Sequence, residues 1–332
     1  MEYRHISYGV NSTLEYIKKR QSGEIKSLKT SFSKLNSVLM GGIDWGRIFT
    51  IVGQSGSGKS TILEQLKKDF IDLNKPDFEI LSFEFEMLIE DQLARYVSSL
   101  GKYTIKELYS AASPLSKEAF AEVEEALEKR NSVPVYYVDN PGTPSQIQET
   151  ILTFISERQL LSKNLGLVIT IDHILLTKGR TGDNEKEIVD ALMDVLNDIK
   201  KYCAHIGLRC LIISLGQLNR DIERVERVEN PLYHFPNRND IFAASSVYHT
   251  SDYVLVSHRP ITVNGMKRTI NGVEKGYGPP RTQFPNGWPL VYPKEPNRHM
   301  VYWHLIKERF GKPGVIALAE NFAHYKLEEV DL

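Results

Sequence analysis

The chain has 332 residues, 41% hydrophobic and 25% charged, which suits one large α/β domain or two modest ones. A formal net charge of −1 excludes an overall basic field, so any contact with nucleic acid must come from a local patch. The polar start Met1-Glu2-Tyr3-Arg4-His5 and the lack of a long apolar run argue against a signal peptide or membrane span, and Cys203 and Cys210, away from metal-ligand company, point to reduced cytosolic thiols.

Residues 1–39 read as an arm and residues 40–332 as one nucleotide-binding domain. Asn11-Ser12-Thr13 are helix-capping residue types, so a helix is expected from there to about Ser22-Gly23. Val10, Leu14 and Ile17 give it a narrow apolar stripe that needs a surface, either on its own domain or on a neighbouring subunit. Residues 48–52 then read as a buried strand and 61–70 as a helix. Between them, Gly53-Gln54-Ser55-Gly56-Ser57-Gly58-Lys59-Ser60 fits the phosphate-loop pattern G-x-x-x-x-G-K-[ST], and Thr61 continues into the helix. The glycines let successive N–H groups turn toward one phosphate, and the helix adds its positive end. Lys59 can reach the β- and γ-phosphates of ATP, and the Ser60 hydroxyl can hold Mg²⁺.

A second strand is expected over 79–83. Beyond it, Glu84 or Glu86 can face a γ-phosphate and take a proton from water, or both can simply open the helix over 89–100. The Glu/Lys-rich stretch 102–130 reads as a helical, solvated flank, 133–138 as a third strand and 145–161 as a helix. Residues 167–172 form an apolar run ended by an acid, the Walker B arrangement, which sets Asp172 beside Ser60 as a second Mg²⁺ oxygen. His173 reads as a packing residue. A polar loop with Lys178 and Arg180 precedes an amphipathic helix over 187–205. The next strand ends near Gln217, which can bond a γ-phosphate or its water, or cap a turn; Arg220 and Arg224 follow in a charge-balanced loop. After a strand over 253–257, residues 258–300 look like an insertion of hairpins, with turn signals at Asn264-Gly265, Asn271-Gly272 and Asn286-Gly287. Residues 301–306 and 315–318 make a terminal β-hairpin with Lys307 and Arg309 near its tip, either for solubility or as a cation reaching a neighbour's nucleotide.

The order of these signals resembles the RecA-type ATPase domain of DnaB-like replicative helicases, with the linker helix that precedes it. The family's S-L-E-M-x-x-x-Q-L resembles Glu84-Phe85-Glu86-Met87 through Gln92-Leu93, with Arg95 following. Its I-D-Y-L-Q-L resembles Ile171 to Leu176, its S-Q-L-N-R resembles Gly216 to Arg220, and its K-x-R-x-G-x-x-G resembles Lys307 to Gly314. The resemblance implies an α/β fold with a RecA-like P-loop core, a central, mostly parallel sheet and a C-terminal β-hairpin. It implies a hexameric ring that hydrolyses ATP with Mg²⁺ on single-stranded DNA, in the cytosol of a bacterium or phage-infected host. Glu86, rather than Glu84, would then be the catalytic glutamate, acting with Lys59 and Gln217, while Lys307 and Arg309 come from the next subunit. The arm helix would dock on that neighbour, and Lys178, Arg180, Arg220 and Arg224 could meet DNA phosphates. The family carries a larger N-terminal domain that engages primase; about forty residues precede the core here. Its DNA-contacting D-L-R-E-S-G falls on Asp240 to Ser245, with Phe242, Ala243 and Ser245 replacing Arg, Glu and Gly. That change leaves open a non-unwinding ATPase, such as a loader, recombination accessory or protein-partner switch.

Overall fold

Unbroken runs of β-branched and aromatic residues form strands only where both faces are covered, and this chain follows that rule. The computed structural model describes residues 5–75, 77–179, 181–228, 234–262, 269–270, 273–274, 276, 282–285, 287–309 and 314–332. Its elements begin with α1 (Ile6–Gln21), α2 (Ser33–Val38), β1 (Arg47–Gly53), α3 (Lys59–Leu73) and β2 (Phe78–Glu84). Next come α4 (Ile89–Ser99), α5 (Ile105–Leu108), α6 (Lys117–Glu128), β3 (Val135–Val138), α7 (Pro144–Glu157) and β4 (Gly166–Asp172). They are followed by α8 (Glu185–His205), β5 (Cys210–Gln217), α9 (Val225–Val228), α10 (Ala244–Thr250) and β6 (Tyr253–His258). The chain closes with the short strands β7 (Thr269–Ile270), β8 (Val273–Glu274) and β9 (Val291–Tyr292), then β10 (Glu295–Lys307), β11 (Gly314–Asn321) and β12 (Lys326–Glu329).

One ten-stranded sheet runs β12-β11-β10-β6-β1-β5-β4-β2-β3, with β9 on β10. From β6 to β3 every pairing is parallel, and β10, β11 and β12 add antiparallel strands, so the fold is the expected RecA-like α/β arrangement. Alternate side chains of β1 serve two cores. Ile48 and Val52 join α7 and α8 through Ile151, Leu192 and Leu196, while Phe49 and Ile51 join α3 through Ile62, Leu66 and Phe70. Register sets Gly53 beside Gln217 and Glu84 beside Asp172, so these residues share the carboxyl edge of the sheet, where ligands bind in such folds.

Several expectations need correction. Helix α1 starts at Ile6 with His5 as its cap, so Asn11-Ser12-Thr13 lie inside it; once nucleated, a helix runs through a Gly or Asn at a cost of about 1 kcal/mol or less each. Its apolar stripe stays exposed, with Ile6 76%, Val10 50%, Leu14 53% and Ile17 49% accessible. Residues 28–39, assigned to the arm, belong to the body. Leu28 bridges Ile43, Phe32 meets Trp303 edge-on at 4.6 Å, and the Glu329 carboxylate accepts from the N–H groups of Lys34 at 2.8 Å and Leu35 at 3.1 Å. The flank 102–130 is two helices, because Thr104 and Glu107 cap one and Ser116, two residues past Pro114, starts the other. In the insertion, Trp288, Leu290 and Tyr292 pack with Met300 and Tyr302 into a small separate core. Its turn signals at 264–265 and 271–272, Asn286 and the hairpin turn 310–313 lie outside the described residues. Among the described residues no helix is long and apolar enough to cross a membrane.

Candidate nucleotide-binding site

The phosphate loop leaves β1 at Gly53 and enters α3 at Lys59. Gly58 caps α3 with φ +87°, and a Cβ there would lie 2.8 Å from Phe322 Cζ, so only glycine fits. It offers no capping side chain, which leaves the first N–H groups of α3 for an anion. Lys59 Nζ donates to the Gln54 carbonyl at 2.9 Å, and Gln54 Nε2 donates to Glu223 Oε1 at 2.6 Å. Burial pushes the Lys59 ammonium down, and the carboxylates of Asp172 and Glu86 partly offset this.

The two acids at the end of β2, Glu84 and Glu86, separate cleanly. Glu84 is buried and fully engaged: its Oε1 accepts from Lys67 Nζ at 2.8 Å and Ser82 Oγ at 2.6 Å, and its Oε2 from Gln92 Nε2 at 2.9 Å. Glu86 lines the open cleft instead, its side chain 54% exposed and its Oε2 3.9 Å from His173 Nε2. Burial keeps the His173 imidazole below its ordinary value, and its Nδ1 accepts from the Leu175 N–H at 3.2 Å.

Asp172 ends β4, buried, and its carboxyl is pushed up to about 7 by burial and then by Glu84, with the Ser60 hydroxyl pulling the other way. Its Oδ1 has no hydrogen-bond partner among the described residues. A buried carboxylate oxygen without a donor, beside a serine hydroxyl, is an all-oxygen pair that fits Mg²⁺.

Around these groups lie two adjoining hollows. One of 330 Å³ is lined by Ser55, Gly56, Gly58, Lys59, Glu86, Gln217 and Arg259. The other, of 350 Å³, runs along the outer face of α3 past Gln65, Lys68, Tyr96 and Arg130. They meet at Ser60, Thr61, Arg95 and Tyr325. The sequence reading gave no role to Arg95, Arg259, Phe322 or Tyr325. Arg259 stacks over the Phe322 ring at 5.0 Å and donates from Nη2 to Glu320 Oε1 at 2.6 Å, while Arg95 stacks over Tyr325 at 4.8 Å. The Q-L-x-R spacing of Gln92, Leu93 and Arg95 was a signal for Arg95; nothing local marks an aromatic between the last two strands as a neighbour of the phosphate loop.

Lys307 and Arg309 are not brought to this cleft. Lys307 Nζ donates to the carbonyls of Tyr248 and His249, and Arg309 Nε pairs with Asp252 Oδ1 at 2.7 Å. Asp252 precedes β6 and accepts from the Ile48 N–H, at the amino end of β1. The five residue steps from Ile48 to Gly53 span about 17 Å, so both cations sit at the edge opposite their own phosphate loop. Lys178, Arg220 and Arg224 are exposed on loops after β4 and β5, at the loop's own edge, with Arg224 paired to Asp221 at 2.7 Å. Arg180 lies outside the described residues.

The family model described as the DnaB-like helicase C terminal domain matches residues 27–325. A DNA repair protein RadA from Halalkalibacterium halodurans is 29% identical over 150 residues, which are 43% of this chain and 31% of that protein. The match thus spans about a third of that curated relative's length. Among solved structures, an ATPase domain aligns with TM-score 0.71 at 16% identity, covering 99% of this chain and 100% of its own. A DnaB-like replicative helicase, solved with its interactions with primase, aligns with TM-score 0.68 at 15% identity, covering 100% of this chain and 68% of its own.

Proposed function

Because the chain belongs to the DnaB-like helicase C-terminal domain family, we propose that it is an ATP-hydrolysing motor, with Mg²⁺ as its cofactor, that assembles as a ring and moves on single-stranded DNA during replication. The observation that carries this reading is the split of the charges. Lys59, Glu86, Asp172 and Gln217 converge on one edge of the sheet, while Lys307 and Arg309 stand at the other. In a ring of copies, the far edge of one subunit meets the near edge of the next, and the triphosphate lies between them.

The loop amides and Lys59 bind the β- and γ-phosphates. Ser60 and Asp172 would hold Mg²⁺, which when bound neutralises phosphate charge. Glu86, exposed in the cleft, takes the proton from the attacking water, and Gln217 orients that water. Arg309 of the neighbour stabilises charge on the transferred phosphoryl. Arg259 and Phe322, stacked beside Gly58, offer a flat surface for the nucleobase. The exposed stripe of α1 suits a groove on the neighbour, such as the one lined by Leu93, Phe120, Val123 and Leu127.

The test is ATP turnover of the wild type, Lys59→Ala, Glu86→Gln and Arg309→Ala, with and without single-stranded DNA, together with strand displacement on a forked duplex. All three variants should lose turnover, and Arg309→Ala should keep nucleotide binding. Normal hydrolysis by Arg309→Ala sinks the shared site. A second reading, a non-unwinding ATPase, is favoured by residues 240–245. Asp240 is taken up by Arg227, and Phe242 and Ala243 pack against the core beside α8. DNA-stimulated turnover without unwinding would select it.

A further inference from the structure

We propose that Asp252 is the positioning residue for the cation that one subunit lends to its neighbour's nucleotide: a buried carboxylate that fixes Arg309 in place before the triphosphate arrives. This rests on the shared-site reading above and adds the group that aims the cation.

Asp252 is 1% exposed and Arg309 is 49% exposed, so the pair joins a fixed group to a surface one. Oδ1 lies 2.7 Å from Arg309 Nε; the N–H does not point at the oxygen, so the contact is an ion pair rather than a hydrogen bond. Oδ2 accepts from the Ile48 N–H at 2.8 Å and from Lys200 Nζ at 3.0 Å. The Asp252 N–H in turn donates to the Ile48 carbonyl at 2.8 Å. The carboxylate therefore cannot swing with the hairpin; the hairpin's arginine has to come to it.

Lys200 alone already balances the Asp252 charge, so Arg309 is not needed there for neutralisation. What the contact changes is the freedom of Arg309. A long cationic side chain samples many rotamers, and that freedom is lost when it engages a phosphate. Pairing through Nε removes part of that freedom in advance, and the terminal nitrogens, which form the fork that suits a phosphate, are not the atoms the pair uses. Lys307, two residues earlier, is anchored separately on the carbonyls of Tyr248 and His249 at the end of α10, so the hairpin is held at two points.

The experiment uses the full chain in mixed oligomers. Asp252→Asn should lower the kcat for ATP by about 10- to 100-fold with KM within about threefold, because the lost group acts on the transition-state contact and not on ATP binding. Lys59→Ala subunits lack a site of their own but carry an intact Asp252 and Arg309. Co-assembled with Asp252→Asn subunits, they should restore turnover, since some intact cations then face intact sites. Arg309→Ala with Lys59→Ala is the control. If that control pair shows no rescue, the shared-site reading fails. If it is rescued while Asp252→Asn with Lys59→Ala is not, Asp252 serves only its own subunit and the proposal is overturned. An unchanged kcat for Asp252→Asn also overturns it. Should Asp252→Asn misfold by stranding Lys200, the double variant Asp252→Asn/Lys200→Met removes the buried pair together and takes its place in the same mixtures.

Discussion

Replacing Lys67 by methionine tests whether the buried acid at the end of β2 is structural. Lys67 Nζ lies 2.8 Å from Glu84 Oε1, 2.5 Å from Glu64 Oε1 and 3.0 Å from Ser82 Oγ. Burial alone would push its ammonium down, but the carboxylates of Glu64 and Glu84 outweigh burial and hold it above the ordinary lysine range, so it stays charged. Methionine keeps most of the stem and leaves Glu84 buried beside Asp172 without its cation. Removing one partner of a buried pair costs about 3–5 kcal/mol, whereas removing both is close to neutral. Lys67→Met should therefore be strongly destabilising, and adding Glu84→Gln should recover about 2 kcal/mol or more of that loss. Urea unfolding of the wild type, both single variants and the double variant gives the coupling directly. Turnover is the second readout. Glu84→Gln should keep kcat within about threefold, while Glu86→Gln loses it. Additive stability costs, or a folded Glu84→Gln protein without turnover, would refute the structural assignment of Glu84.

Three other outcomes follow from the same structure. Removing residues 1–26 should leave the unfolding midpoint within a few degrees, because α1 is exposed and the body starts near Leu28, yet it should lower the particle mass measured by light scattering. Gly58→Ala forces a side chain onto φ +87° and against Phe322, so affinity for a fluorescent ATP analogue should fall by about tenfold; unchanged binding would show that the loop relaxes freely. Buried His234, His258 and His304 are held neutral: burial lowers His234 to about 4, with Arg227 adding to the effect, and His304 to about 3, and it puts His258 well below its ordinary value. Their folded values lie below the unfolded value of about 6.5, so their contribution is fully present above that pH and is lost as pH falls toward 4 and 3. The unfolding free energy from urea titration should fall from pH 7 to 5, by about 2 kcal/mol each for His234 and His304, with His258 shifting it in the same direction, and a flat profile would count against the cluster.

What was legible in the sequence was whatever one stretch of chain can encode. Residues 53–60 declare their chemistry because a phosphate loop needs glycines, a lysine and a hydroxyl at fixed spacing, and the buried strands show as apolar runs because both of their faces are covered. Helix α10 was missed: Ala244–Thr250 is short, capped by Ala243 in the left-handed region, and rich in Ser and His, so it stands by packing on α8 rather than by propensity. Phe322 and Tyr325 were missed for a different reason. Their place beside Gly58 and Arg95 exists only after β11 and β12 return along the sheet, and no spacing rule encodes that return.

The choice between Glu84 and Glu86 shows how the two kinds of information combine. Both acids stand at the end of the same strand, and charge and helix-start preference treat them alike. Lys67 of α3, Ser82 two residues earlier in β2 and Gln92 of α4 saturate the Glu84 carboxylate, while Glu86 faces the cleft. A carboxylate already accepting from three donors has little capacity left to take a proton from water, whereas an open one beside a phosphate loop keeps it. The same reasoning applies to the cations. Arg309 reads from sequence either as a solubilising cation at a hairpin tip or as one reaching a neighbour's nucleotide, and the structure adds the buried acid beside it and its distance from its own loop. Under the proposed function, the parts of the site lie on opposite edges of one sheet, and a second copy brings the far edge to the near one.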